Sequence, residues 1–114
     1  MAMILDTTKA TTWTDDNTGT VMSEPYIRIT HFVELDQTNK KCIFEVDHYF
    51  DEAARTAGRS PVFAASSYSV INTAFDQYFD CAALCIEGTN IYRQAYKYLM
   101  ENVSIYSGMK SDES

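Results

Sequence analysis

Residues 26 to 50, YIRITHFVELDQTNKKCIFEVDHYF, alternate apolar and polar side chains on both sides of a short polar break, and this pattern limits the fold more than anything else in the chain. A period of two is the signature of a strand with one face buried, and two such runs around a turn make an antiparallel hairpin. With Gln37 and Thr38 central in DQTN, one face pairs Glu34 with Lys41, Phe32 with Ile43, Thr30 with Glu45 and Arg28 with Asp47. The other face pairs Val33 with Cys42, His31 with Phe44, Ile29 with Val46 and Ile27 with His48. Two opposite-charge pairs then share a face, and a slip of one residue would mix charged and apolar sets. The turn has no glycine, which leaves open a longer loop with a shifted register. In this reading Ile27, Ile29, Val33, Phe44 and Val46 face the core, and the face bearing Arg28 and Asp47 is the more exposed one.

The rest of the chain supplies what covers that face. DEAARTAGRSP reads as one or two helical turns closed by Gly58, and AASSYSVI as a third strand. Thr73 and Asp76 make an approximate capping box ahead of Phe75, Tyr78, Phe79, Ala82, Cys85 and Ile86, predicting a helix over 73–86 stopped by Gly88. Asn90 caps a second helix with Ile91, Tyr92, Ala95, Leu99 and Met100 inward and Arg93, Lys97 and Glu101 outward. The expected class is α+β: a small antiparallel β-sheet built on the 26–50 hairpin with two C-terminal helices packed on one face. The expected division is an N-terminal arm or extra hairpin at 1–24, a single domain at 25–103 and a solvated tail at 104–114. In the hairpin version of the first segment, Lys9 to Trp13 pairs with Thr20 to Met22 around a DDNTG turn.

Composition excludes several roles. A chain of 114 residues accommodates one core, and eight Tyr with six Phe mark it as a folding sequence. A formal charge of −7 repels phosphate backbones, so nucleic acid is not an expected partner. No stretch reaches the roughly 18 apolar residues of a membrane span, and MAMILDTTKA lacks the basic start and apolar run of a secretory signal, so the expectation is a soluble chain made in the cytoplasm. Its three cysteines read as free thiols.

Reactive side chains are few. In the hairpin register His31 and His48 share the apolar face four rungs apart, too far to hold one metal ion without a third element. Cys81 and Cys85 lie one helical turn apart, but a closed zinc site would have to recruit Cys42 and a histidine from the strands. DDNTG lacks the glycine and bidentate acid of a calcium loop. There is no GxSxG, GxGxxG, GxxxxGK[ST] or HExxH. In DHYFDE, Asp47, His48, Asp51 and Glu52 offer a base and a carboxylate, but Asp47 and His48 point to opposite faces of a strand. The residues therefore predict no catalytic group, no metal and no cofactor.

From ITHFVELD through HYFDEAARTAGRSPVFAASSYSVINTAFDQYF, the succession of hairpin, short helix, SYSV strand and aromatic helix resembles small uncharacterised proteins from the structural gene clusters of tailed bacteriophages. The resemblance covers about residues 26 to 100 and contains no diagnostic motif. It implies a virion component of the tail, neck or baseplate, made in the host cytoplasm, that assembles with copies of itself and with other virion proteins. Tyr-rich surfaces and extended termini suit such packing, with Trp13 as an anchor and Ile4, Leu5 and Tyr106 beside it at the interface. The competing reading packs Ile4, Leu5, Trp13 and Val21 on the chain's own core. The alternative function is a small metal-binding or enzymatic domain using His31, His48 and the cysteines Cys42, Cys81 and Cys85.

Overall fold

The hairpin forms as its alternation requires, between β4 (Tyr26–Asp36) and β5 (Lys41–Tyr49), in a computed structural model that describes residues 2–86 and 89–112. Near its base the register is the expected one, with Arg28 opposite Asp47, Ile29 opposite Val46 and Ile27 opposite His48. Toward the tip it shifts twice, between Ile29 and His31 and between Phe32 and Glu34, so that 11 residues of β4 run against nine of β5. Two β-bulges on one strand produce that mismatch, and each reverses which side chains point inward. Phe32, expected on the charged face, turns toward the core and meets Phe44 at 5.6 Å and Tyr92 at 5.2 Å between ring centroids. His31 and Val33, expected inside, turn out: His31 pairs with Glu45 at 2.9 Å, and Val33 is 55% exposed. The shifted register gives Phe32 two aromatic neighbours and leaves the polar His31 ring at the surface beside Glu45, which accounts for the correction. The loop is the longer one the missing glycine left open, from Gln37 to Lys40, and Lys40 takes a left-handed φ of 54°.

Five more strands complete an antiparallel picture. β1 (Ala2–Leu5), β6 (Phe63–Ile71) and β7 (Met109–Asp112) join the hairpin in a five-stranded sheet ordered β6-β5-β4-β1-β7, while β2 (Trp13–Thr14) and β3 (Val21–Met22) pair separately. The segment expected as an arm thus places β1 inside the sheet, with Met3 opposite Ile27 on one side and opposite Ser111 on the other. Residues 109–112, expected within a solvated tail, form the strand that flanks it. The tail's last residues, 113 and 114, lie outside the described residues.

Helices cover one face, as the class α+β requires. A short α1 (Glu52–Thr56) is capped by Asp51, whose carboxylate accepts from the Ala54 amide at 2.7 Å, and closes at Gly58 with φ 74°. The predicted 73–86 helix is two pieces, α2 (Asn72–Tyr78) and α3 (Cys81–Leu84). Asp80 breaks it by capping α3, the kind of side-chain competition that short polar residues offer the backbone. The Gln94 amide donates to the Tyr78 carbonyl at 2.9 Å and the Gln37 amide to the Phe79 carbonyl at 2.8 Å, which satisfies groups left open at the break. Asp76 does not close a capping box with Thr73; it pairs with Lys40 at 3.1 Å. The predicted stop, Gly88, lies outside the described residues.

α4 (Ile91–Asn102) begins where expected, with the Asn90 side chain accepting from the Arg93 amide at 2.9 Å. Its buried residues are Gln94, Ala95, Tyr96 and Leu99, whereas Tyr92, expected inside, is 43% exposed. Tyr96 reaches the bulged strand, where the Ile29 amide donates to its hydroxyl at 2.9 Å, and burial pushes that phenol up to about 12. A buried N–H displaced from the ladder needs such a partner. Ile27, Ile29, Phe44, Val46, Phe75, Phe79, Ala95 and Leu99 make the centre of the core. No helix among the described residues is long and apolar enough to cross a membrane.

Candidate functional site

His48 is where strand pattern and polar chemistry meet. Its place on the inward face of β5 follows from the alternation, and its side chain is fully buried. A buried imidazole has two nitrogens to satisfy. Both partners come from segments far away in sequence. The DDNTG stretch is a plain turn, as its composition suggests: the Gly19 amide donates to the Asp15 carbonyl at 2.7 Å, with Gly19 at φ 74°. The turn aims Asp15 inward, where its Oδ2 lies 2.8 Å from His48 Nδ1 while its Oδ1 accepts from the Asn17 amide at 2.8 Å. On the other side a 3-10 turn, Ser104–Tyr106, brings the Tyr106 hydroxyl to 2.6 Å from His48 Nε2. Tyr106 continues to Tyr68 on β6 at 2.8 Å, and Ser66 donates to the Tyr68 hydroxyl at 3.4 Å.

Counting protons orders this row. With Asp15 ionised, His48 Nδ1–H donates to it and Nε2 accepts from Tyr106, which in turn accepts from Tyr68, which accepts from Ser66. An imidazolium would require all the hydroxyls to turn round. Burial pushes the Asp15 carboxyl up, but the hydrogen bond from His48 and those from the Asn17 and Thr18 amides outweigh it and hold the group below the usual carboxylate range. Burial, then the bond to Tyr68, drives the Tyr106 phenol far above its ordinary value. Trp13 closes the space: its indole meets His48 edge-on at 5.3 Å, stacks on Tyr106 at 6.2 Å and donates to the Ile105 carbonyl at 2.6 Å.

An acid orienting an imidazole that faces a hydroxyl has the hydrogen-bond order of a nucleophilic triad. Here the hydroxyl is a phenol made less acidic by its surroundings, which opposes the activation a nucleophile needs. Asp15, His48 and Tyr106 have no exposed surface, and the clefts lined by Ile4 and Tyr26, by Phe50 and Arg59, and by Arg28 and Tyr92 include none of them. What the row can do is tie together the β2–β3 hairpin, the sheet and the C-terminal turn.

The residues expected at an interface are Trp13, Leu5 and Tyr106, 7%, 6% and 0% exposed within the chain, and Ile4, half-buried on β1. The reading that packs them on the chain's own core describes their positions, except that Val21 is 59% exposed. The two histidines occupy opposite faces, because the first bulge turns His31 outward. Cys42 is buried, and burial raises its thiol to about 12, while Cys81 and Cys85 are exposed. Among the described residues no three His, Cys, Asp or Glu side chains are grouped to hold a metal. Of DHYFDE, Asp51 caps α1 and only His48 joins the buried row. Asp15, Tyr68 and Tyr106 were not singled out as its partners. They lie 33 residues from His48 in the case of Asp15 and 58 in the case of Tyr106, so the one available signal was that an inward histidine demands partners.

Comparison of the chain with family models, with curated proteins and with solved structures gives no match.

Proposed function

We propose that this chain is a structural subunit of a tailed-phage particle, in the tail, neck or baseplate, that assembles with copies of itself and with adjacent virion proteins and performs no chemistry of its own. The observation that carries the structural half is the enclosure of Asp15, His48 and Tyr106, whose hydrogen bonds are spent on holding remote segments together. Apolar surface outside the core supports an interacting role: Val33 and Leu35 on β4 are 55% and 41% exposed, and Tyr92 on α4 is 43% exposed. Placement in a phage particle rests on the resemblance over residues 26 to 100. The metal-binding or enzymatic alternative draws no support from the separation of His31, His48 and the cysteines.

Sedimentation velocity of the intact chain over a wide concentration range tests assembly. Species heavier than the 12.9 kDa monomer, growing with concentration, are expected, and a monomer at every concentration overturns the proposal. Mass spectrometry of particles purified from a host carrying the gene tests the location, which fails if the chain is absent from them.

A further inference from the structure

We infer that two copies of this chain join edge to edge through β6, their strands running antiparallel about a two-fold axis at Ser67. The inference rests on the proposed assembly role and names the surface that serves it.

The sheet has two outer strands, and they are built differently. β7 is four residues long and carries Lys110 and Asp112, the short, charged form that discourages further pairing. β6 is nine residues, FAASSYSVI, with no charge and no proline, in a chain whose charged residues are 22% of the total. Its backbone pairs with β5 on one side, and the bonds at its ends, from the Val62 amide to His48 and from the Asn72 amide to Lys40, return to that same hairpin. Among the described residues no strand pairs the outer side of β6.

The sequence of β6 is close to self-complementary when reversed. A two-fold at Ser67 sets Ala64 against Val70, Ala65 against Ser69, Ser66 against Tyr68 and Ser67 against itself, while the register shift beside Phe63 takes that residue out of the regular ladder. Ser66 meets the Tyr68 hydroxyl, the neighbouring positions are small or apolar, and no like charges face each other. Over the regular part of the strand the operation keeps inward positions inward, since Ser66, Tyr68 and Val70 share a face, and it extends the five-stranded sheet into its copy. It also covers an unfinished feature of the monomer. The buried row Asp15–His48–Tyr106 ends at this edge on Tyr68, which is only half-buried beside Phe63, also half-buried. A partner strand sets its Ser66 beside that phenol. Pairing along one strand is a small interface next to the roughly 800 Å² per partner of a standard one, so the dimer is reversible.

Ser67→Lys tests this, because Ser67 is exposed in the monomer and the axis sets the two introduced ammonium groups opposite each other. Sedimentation velocity should show a reversible dimer for the wild type and a monomer with unchanged melting temperature for S67K. In a Cys81→Ser/Cys85→Ser background, Ser67→Cys should form a disulfide-linked dimer on mild oxidation, and Lys110→Cys on β7 should not. If S67K associates as the wild type does, or Lys110→Cys crosslinks in place of Ser67→Cys, the edge assignment is wrong while assembly stands. If the wild type is monomeric throughout, both fail.

Discussion

His48 enters the core because β5 alternates, and the cost of burying its ring is offset only if both nitrogens are bonded. Tyr106→Phe removes one of those bonds and leaves Nε2 and the Tyr68 hydroxyl short of a partner, for an expected loss of about 1–3 kcal/mol in urea unfolding at neutral pH. Asp15→Asn replaces the ionised acceptor of His48 Nδ1–H by a neutral amide and should cost about 1.5–3 kcal/mol. It should also change the pH profile. The Asp15 carboxyl is held below its ordinary value, so its stabilisation is present above the unfolded carboxylate's value near pH 4 and is lost as pH falls through the lower folded value. Unfolding free energy of the wild type should therefore drop on acidification below about pH 4, with a smaller drop in the Asn variant. The lowered carboxyls of Asp6 and Asp36 account for slope that persists. Thiol labelling checks burial separately: a maleimide should modify Cys81 and Cys85 in the native protein and reach Cys42 only on unfolding.

At the scale of elements, β4 shows how far a sequence pattern can be read. Its lower half pairs as the alternation dictates, because Ile27 and Ile29 have no competitor for the core. Past Thr30 the pattern is ambiguous, with His31, Phe32, Val33 and Leu35 offering two inward sets, and the choice depends on Phe44, Phe79 and Tyr92, which local periodicity does not contain. The helix cap at Asn90 was legible for the opposite reason, since a cap is a contact over three residues. The break at Asp80 depends on Gln37 and Gln94 and was not. The bulged register makes a sharp prediction about faces. Val33→Asp, at an exposed site, should change stability by less than about 0.5 kcal/mol, whereas Ile29→Asp should unfold the domain. Equal damage from both would restore the unbulged hairpin.

For the whole molecule, the ends of the chain close the fold. β1 lies between β4 and β7, so the first strand completes its pairing only when residues 109–112 arrive. Deleting residues 1–20 removes β1, Trp13 and Asp15 together, and should abolish cooperative melting followed by circular dichroism. Those residues looked like an arm because their apolar side chains are sparse. Of those present, Ala2, Met3, Leu5 and Trp13 are buried and Ile4 is half-buried, and polar bonds from Trp13 and Asp15 supply what apolar area does not. The polar row is thus a fastening between the N-terminal hairpin, the sheet and the C-terminal turn, and a double-mutant cycle of Asp15→Asn and Tyr106→Phe, unfolded in urea at neutral pH, tests it most directly. Each substitution should destabilise, and the two together should lose less than the sum, with a coupling of about 1 kcal/mol or more transmitted through His48. Additive effects, or single variants as stable as the wild type, would contradict the claim that these residues hold the fold together.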